Sequence, residues 1–211
     1  MRERASRNSS STATGAPGSP LPAWLRGEGC AAVFVLLCIG VAPVCWAEEL
    51  PVVRDGGFSL AMRALPLDAV HAFFLARGFR AAEAKRIVEV GCVHKLAATH
   101  DGDGVDAAVS IDLAAWRVRS AEGPWRPLAL REEWAQTWEK MNVAKPAQIA
   151  FYWALFPTQQ IFAPGDRNWG MVPMGFAPGT PFDLKAVWYV GEKRLESVLT
   201  HLQCASPEAG T

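Results

Sequence analysis

Apolar and polar residues alternate in two stretches of this chain, and this alternation restricts the possible fold more than any other feature. In residues 105–113 one face carries Val105, Ala107, Val109, Ile111 and Leu113. In residues 182–190 one face carries Phe182, Leu184, Ala186, Trp188 and Val190. Side chains of a β-strand point to opposite faces in turn, so a period of two predicts a strand with one face in the core. Antiparallel sheets are the usual setting for such strands.

Further strands are predicted on both sides of these two. Residues 92–99 alternate as well, with Cys92, His94 and Leu96 on one side. Residues 147–156 are apolar on both faces, which predicts a fully buried strand, and residues 158–162 are interpreted as its continuation. Turns rich in glycine, proline and aspartate separate the segments. We therefore expect a mainly β fold, an immunoglobulin-like antiparallel β-sandwich.

Two helices are predicted ahead of these strands, as a helical hairpin over residues 64–91. Pro66 suits the start of the first helix and Gly78 its end, and the second helix ends at Gly91. One more short helix is predicted in the long connection at residues 130–141. There Trp134 and Trp138 lie one helical turn apart, with acidic residues early and a lysine late.

The N-terminal region predicts export from the cytosol. Four arginines precede an apolar run at residues 30–42, and Pro43 and small residues follow it. This order is typical of a secretory signal, here residues 1–47, cleaved after Ala47. The run is shorter than the ~20 residues that span a bilayer, although an uncleaved anchor stays an alternative. We expect a periplasmic or secreted domain at residues 48–204, with no membrane insertion after cleavage, and a disordered tail at 205–211.

The charge of the mature chain argues against nucleic acid as a partner. Residues 48–211 contain 17 Lys and Arg against 19 Asp and Glu, so the net charge is about −2. No run of basic residues of the kind that nucleic-acid binding requires occurs in the sequence.

Two cysteines, Cys92 and Cys204, remain after the predicted signal. In an exported protein such a pair most often forms a disulfide bond, and we predict one here. The alternative is a metal site in which His94 and His201 join the cysteines to bind zinc or copper. Met171 and Met174 are candidate copper ligands too, although methionines in such a context more often pack against a sheet.

Motifs for catalysis are missing from the sequence. There is no Gly-x-Ser-x-Gly, and the four histidines have no evident triad companions. No glycine-rich loop of the mature chain has the spacing that cradles phosphate. We predict no catalytic residue, and the sequence disfavours an enzyme.

Tryptophan is unusually frequent in this chain, with seven residues after the predicted signal. Trp153 and Trp188 are predicted in core strands, whereas Trp125 and Trp169 lie beside Pro or Gly in predicted loops. Exposed tryptophan is enriched where partners bind.

Residues 163–171 combine a Pro-Gly turn with candidate binding residues. These are Asp166, Arg167, Asn168 and Trp169, to which Trp125 is added. A structural hairpin with Trp169 against the sheet is the alternative. We predict a non-catalytic binding or accessory protein that engages a protein partner through loop aromatics. The alternatives are a copper- or zinc-handling protein and a carbohydrate-binding module.

Overall fold

The structure is a computed structural model that describes residues 52–102, 104–121 and 123–207. The predicted secretory signal at residues 1–47 and the last four residues of the predicted tail lie outside the described residues. Among the residues described, no helix has both the length and the apolar character required to span a bilayer.

The described chain contains strands and four α-helices in a mixed order. The strands are β1 (Val52–Asp55), β2 (Phe58–Ala64), β3 (Val93–His100), β4 (Val109–Asp112), β5 (Arg117–Ser120), β6 (Arg126–Pro127), β7 (Gln159–Phe162), β8 (Arg167–Pro173), β9 (Pro181–Val190) and β10 (Lys193–Gln203). The helices are α1 (Leu67–Leu75), α2 (Ala81–Gly91), α3 (Arg131–Met141) and α4 (Lys145–Ala154).

The strands form two antiparallel sheets. The first sheet has the order β1-β2-β3-β8. In the second sheet the long strand β9 pairs with β10 along one edge, and β5 and β4 share its other edge end to end. A short turn of 3-10 helix, Leu113–Ala115, connects β4 to β5. Strand β7 lies beyond β4, and β6 lies beyond β5.

Alternate side chains of the two sheets pack into one core. Phe58 of β2 contacts both Phe162 and Trp188 of the second sheet, with 5.9 Å between ring centroids in each pair. The predicted alternation of β9 is confirmed, because Phe182, Leu184, Ala186 and Trp188 are all buried. The fold is therefore mainly β with two antiparallel sheets, as the alternation predicted. In the other alternating stretch only residues from Val109 onward form a strand.

The helices enclose a second cluster of buried side chains. The helical hairpin is confirmed, with α1 and α2 separated by a turn at Gly78. Trp138 of α3 packs against Phe79 and against Phe151 of α4, with centroid distances of 5.3 Å and 5.1 Å. Burial of these aromatic rings is the main force that holds the helices together.

The prediction of a buried strand at residues 147–156 is wrong, since most of this segment is helix α4. Buried Ala147, Gln148 and Phe151 recur at helical spacing, and Pro146 suits the first turn. The segment seemed apolar on both faces because it leaves Ile149 and Trp153 exposed, at 53% and 86% of their surface. Trp153 is therefore not a core residue, and the connection contains two helices rather than one.

The predicted pairing of Cys92 with Cys204 agrees with the structure, in which the two sulfur atoms lie at disulfide distance. Their Cα atoms are 5.1 Å apart. Cys92 lies between α2 and β3, and Cys204 directly follows β10. The pair therefore connects the first sheet to the second.

Candidate binding groove

Residues 163–171 form a tight turn followed by strand β8. Gly165 occupies the turn with φ of 88°, in the left-handed region that favours glycine. The Asp166 carboxylate accepts a hydrogen bond of 2.8 Å from the backbone N–H of Ala163. The carbonyl of Asp166 accepts another, of 2.9 Å, from the N–H of His100. Asp166 is therefore engaged in holding the turn against the end of β3.

Trp169 lies within β8 rather than in a loop, opposite Ala97 of β3. Its side chain is on the outer face of the first sheet and is 66% exposed. The Lys95 ammonium lies 5.0 Å from the centre of the indole, within the range of a cation–π contact. The alternative in which Trp169 packs against the sheet is therefore wrong, because most of its side-chain surface is exposed.

The chain leaving α4 passes closely around the edge of β8. The Phe156 N–H donates a 2.8 Å hydrogen bond to the Met171 carbonyl, and the Phe156 ring enters the core between the sheets. A Cβ atom at Gly170 would lie 2.5 Å from the Phe156 nitrogen. Only a residue without a side chain allows this approach, which brings the C-terminal turn of α4, with Trp153, next to β8.

These elements together form a groove between α1, α4 and β8 with a volume of about 550 Å³. Among its lining residues are Phe73, Arg77, Trp153, Asn168, Trp169 and Met171. The two tryptophans contribute large apolar surfaces from two different elements. Exposed aromatic groups that line one concavity are typical of a binding site.

The walls of the groove are held in place by contacts of their own. Phe73 meets the buried ring of Phe74 edge to face, with centroids 5.0 Å apart. The Arg77 guanidinium lies 3.5 Å above the Phe73 ring. The Asn168 amide donates a 2.5 Å hydrogen bond to the Gln160 side chain and accepts one from the Trp169 N–H. A preformed site of this kind loses less entropy on binding.

The described lining of the groove combines apolar surface with two polar side chains. Among the described residues that line it, Arg77 and Asn168 are the polar side chains. The groove therefore offers stacking, apolar contact and hydrogen-bond donors.

Comparisons with protein-family models, with curated proteins and with solved structures find no match.

The structure separates Trp125 from the other candidate binding residues. Trp125 precedes β6 of the second sheet, where the Arg119 guanidinium lies 4.6 Å and the Lys185 ammonium 5.2 Å from its ring centres. Arg119 is also paired with Asp183 at 2.9 Å. Trp125 thus belongs to a charged cluster of the second sheet, whereas Arg167, Asn168 and Trp169 belong to the first.

The candidate metal ligands are dispersed. His94 is buried with its ring edge against Phe182, and its Nδ1 atom lies 3.2 Å from the Cys92 carbonyl. Burial lowers the pKa of His94, against the opposing effect of hydrogen bonds to the backbone.

The other three candidates occupy different surroundings. His201 is exposed at an irregularity of β10, Met171 lines the groove, and Met174 is buried between the sheets. In the part of the chain that the structure describes, no three His, Cys, Asp or Glu side chains are grouped to hold a metal ion. The copper and zinc interpretation stays a prediction, which elemental analysis of the exported protein would test.

Sequence reasoning missed Phe73, Arg77 and Trp153 as members of the site. Phe73 lies in the last turn of α1 and Arg77 shortly after it, between the two helices of the predicted hairpin, where they resembled ordinary packing and solvated residues. For Trp153 a signal was present, because Lys145, Ile149 and Trp153 repeat every four residues. On a helix this spacing forms one continuous face.

Proposed function

We propose that this protein is a non-catalytic, extracytoplasmic binding protein that holds a protein partner at the groove. The observation that carries the proposal is the joint exposure of Trp153 and Trp169, at 86% and 66%, in one concavity. Leaving two indoles in water forgoes the free energy of burying them, on the order of 5 kcal/mol each for about 200 Å² of apolar surface. A partner that covers them recovers that free energy.

Tryptophan is also among the residue types most often found to dominate binding energy at protein interfaces. Truncation of such a residue costs about 2 kcal/mol or more, which corresponds to roughly a 30-fold rise in Kd. Because both indoles are largely exposed in the free protein, their removal leaves the folded core intact.

The test is differential capture by the tagged mature chain in the compartment to which it is exported. We expect the Trp153→Ala/Trp169→Ala double variant to lose proteins that the wild-type chain retains. Ile161→Ala is the matched control, since Ile161 is 71% exposed on β7, away from the groove lining. Equal capture by the wild type and the double variant would rule out the groove as the binding site.

We also propose that the protein is exported and that its two sheets have an immunoglobulin-like arrangement. The disulfide distance between Cys92 and Cys204 supports an oxidising compartment. N-terminal sequencing of the exported protein should then begin at Glu48. Two antiparallel sheets around one core support an immunoglobulin-like arrangement in its layering, and a solved structure of the mature chain is the test.

A carbohydrate is the second candidate ligand. Flat indole rings stack on sugar faces, and the groove adds an amide at Asn168 and a guanidinium at Arg77 for hydroxyl groups. A glycan array probed with the wild-type chain and the double variant distinguishes this function. Signals that require both tryptophans would favour a carbohydrate, and an array without such signals would leave the protein partner as the ligand class.

A further inference from the structure

The outer face of the first sheet carries a regular arrangement of cations. By strand register, Arg63 of β2 lies opposite Lys95 of β3. Four residues further along β2, Ser59 lies opposite Arg54 of β1, and Thr99 and Arg167 follow in the same row. Two rows of positive charge therefore cross the strands of this face.

A row of small side chains separates the two cationic rows and leads to the groove. Ala61 of β2 is opposite Ala97 of β3, which is opposite Trp169 of β8. Neighbouring strands are about 4.8 Å apart, so this middle row extends roughly 10 Å and ends at the indole. The cationic rows lie about four residues apart along the strands, which is roughly 13 Å. We name this strip of small residues between two cationic rows the trough.

The cations of the trough have no matching acids on the described sheet face. The outward-facing positions of β1, β2, β3 and β8 at which side chains are described include no Asp or Glu. None of the four cations forms a salt bridge with a carboxylate of the described residues. Arg54, Arg63 and Arg167 are exposed, and Lys95 is half-buried. The face is therefore positive although the mature chain as a whole is slightly negative.

We propose that the partner of the groove presents an extended acidic segment that lies along the trough and places an apolar or aromatic side chain between Trp153 and Trp169. This inference rests on the proposed protein-binding function and specifies its partner. Successive side chains of an extended segment point to opposite sides. Acidic residues in such a segment reach both cationic rows, and its backbone lies over the alanines.

A protein segment fits this surface better than an anionic membrane. Membrane-bound proteins insert protruding apolar groups between lipids. Here Trp153 and Trp169 line a concavity of about 550 Å³, which is large enough to hold side chains of a partner. The trough is also continuous with that concavity through Trp169, so one chain can contact both.

The test is a selection of displayed random dodecapeptides on the immobilised mature chain. Peptides retained by the wild type but not by Trp153→Ala/Trp169→Ala are sequenced, synthesised with a fluorescent label and titrated. We expect these peptides to carry net negative charge and at least one aromatic or large apolar residue. Their Kd should rise at least tenfold in Arg54→Gln/Arg63→Gln/Arg167→Gln, and it should also rise with added salt.

A matched variant controls for overall charge. Arg86→Gln/Lys140→Gln/Lys193→Gln removes three exposed cations from α2, α3 and β10. It should leave the Kd of the selected peptides within twofold of the wild type. An equal loss of affinity in the two triple variants would show a general charge effect and would overturn the proposed trough.

The remaining outcomes separate the two proposals. Groove-dependent peptides that are neutral or basic would overturn the acidic segment while leaving the proposed protein-binding function standing. If no selected peptide depends on the tryptophans, both proposals fail. Binding of phosphatidylglycerol vesicles that is lost in Arg54→Gln/Arg63→Gln/Arg167→Gln, without groove-dependent peptides, would instead identify the face as a membrane-binding surface.

Discussion

Replacement of Gly170 by alanine tests the contact that positions Trp153 beside Trp169. Gly170 is not among the glycines with positive φ, so its backbone conformation suits any residue. On backbone grounds alone, Gly170→Ala should stabilise the protein by about 0.4–1 kcal/mol, because alanine restricts the unfolded chain. In the folded protein, however, the added Cβ would lie 2.6 Å from the Phe156 Cα, so we expect Gly170→Ala to destabilise the protein instead.

The size of this stability loss depends on how far the Phe156 backbone must move to accommodate the added Cβ. Carbon atoms prefer a separation of about 3.5–4.0 Å, so the Phe156 backbone has to retreat by roughly 1 Å. Overpacking of this kind costs about 1–3 kcal/mol. Weakening the hydrogen bond from Phe156 N–H to the Met171 carbonyl adds about 0.5–1.5 kcal/mol. After the backbone gain is subtracted, we expect a net loss of about 0.5–4 kcal/mol in the free energy of unfolding.

The assays are urea unfolding followed by circular dichroism, and intrinsic tryptophan fluorescence of the folded state. In thermal unfolding, a loss of 1 kcal/mol lowers the Tm of a domain of this size by about 2–4 °C. The fluorescence should change as well, because displacement of Phe156 moves the nearby Trp153 relative to Trp169.

Gly165→Ala is the control in the neighbouring turn. No atom lies within 4 Å of a Cβ at this position, so its cost of about 1 kcal/mol comes from the positive φ alone. It should leave the tryptophan fluorescence of the folded protein unchanged. If Gly170→Ala is as stable as the wild type or more stable, the close passage of the chain around β8 is refuted.

Three further predictions concern the core. Cys92→Ser/Cys204→Ser should lose about 5 kcal/mol of stability in non-reducing urea titrations, because the cross-link spans 112 residues. Burial lowers the pKa of His94 below 6.5, so the unfolded state binds more protons, and stability should fall as the pH decreases through 6.5 and below. In His94→Gln this decrease should be smaller over the same pH range. Trp138→Ala should cost about 3–5 kcal/mol in urea titrations, whereas Trp153→Ala should change stability by less than about 0.5 kcal/mol.

Each of these has an outcome that contradicts it. A double serine variant within about 1 kcal/mol of the wild type would argue against the bond between Cys92 and Cys204. Parallel pH profiles for the wild type and His94→Gln would mean that His94 is not the titrating group. Equal losses in the two tryptophan variants would place Trp153 in the core after all.

The candidate site was only partly accessible from the sequence. Trp169 is a candidate from the sequence because core packing poorly explains a tryptophan beside glycine in a predicted loop, whereas Trp153 is predicted in a buried strand. The error has a physical cause, since a short apolar run suits a buried strand and a helix segment equally well. As a helix, this segment places Phe151 against Phe74 of α1, with ring centroids 5.4 Å apart, and that contact is distant in sequence.

The sequence by itself determined the features that depend on local period and on chemical type. Alternation specified the strands β3 and β9, the proline and glycines bounded the helical hairpin, and the two cysteines left after the predicted signal identified the disulfide pair. Only the tertiary structure decided the cationic trough, because Arg54, Arg63, Lys95 and Arg167 come from four strands. Charges far apart along the chain become neighbours through strand register, and register is set by the packing of the whole core.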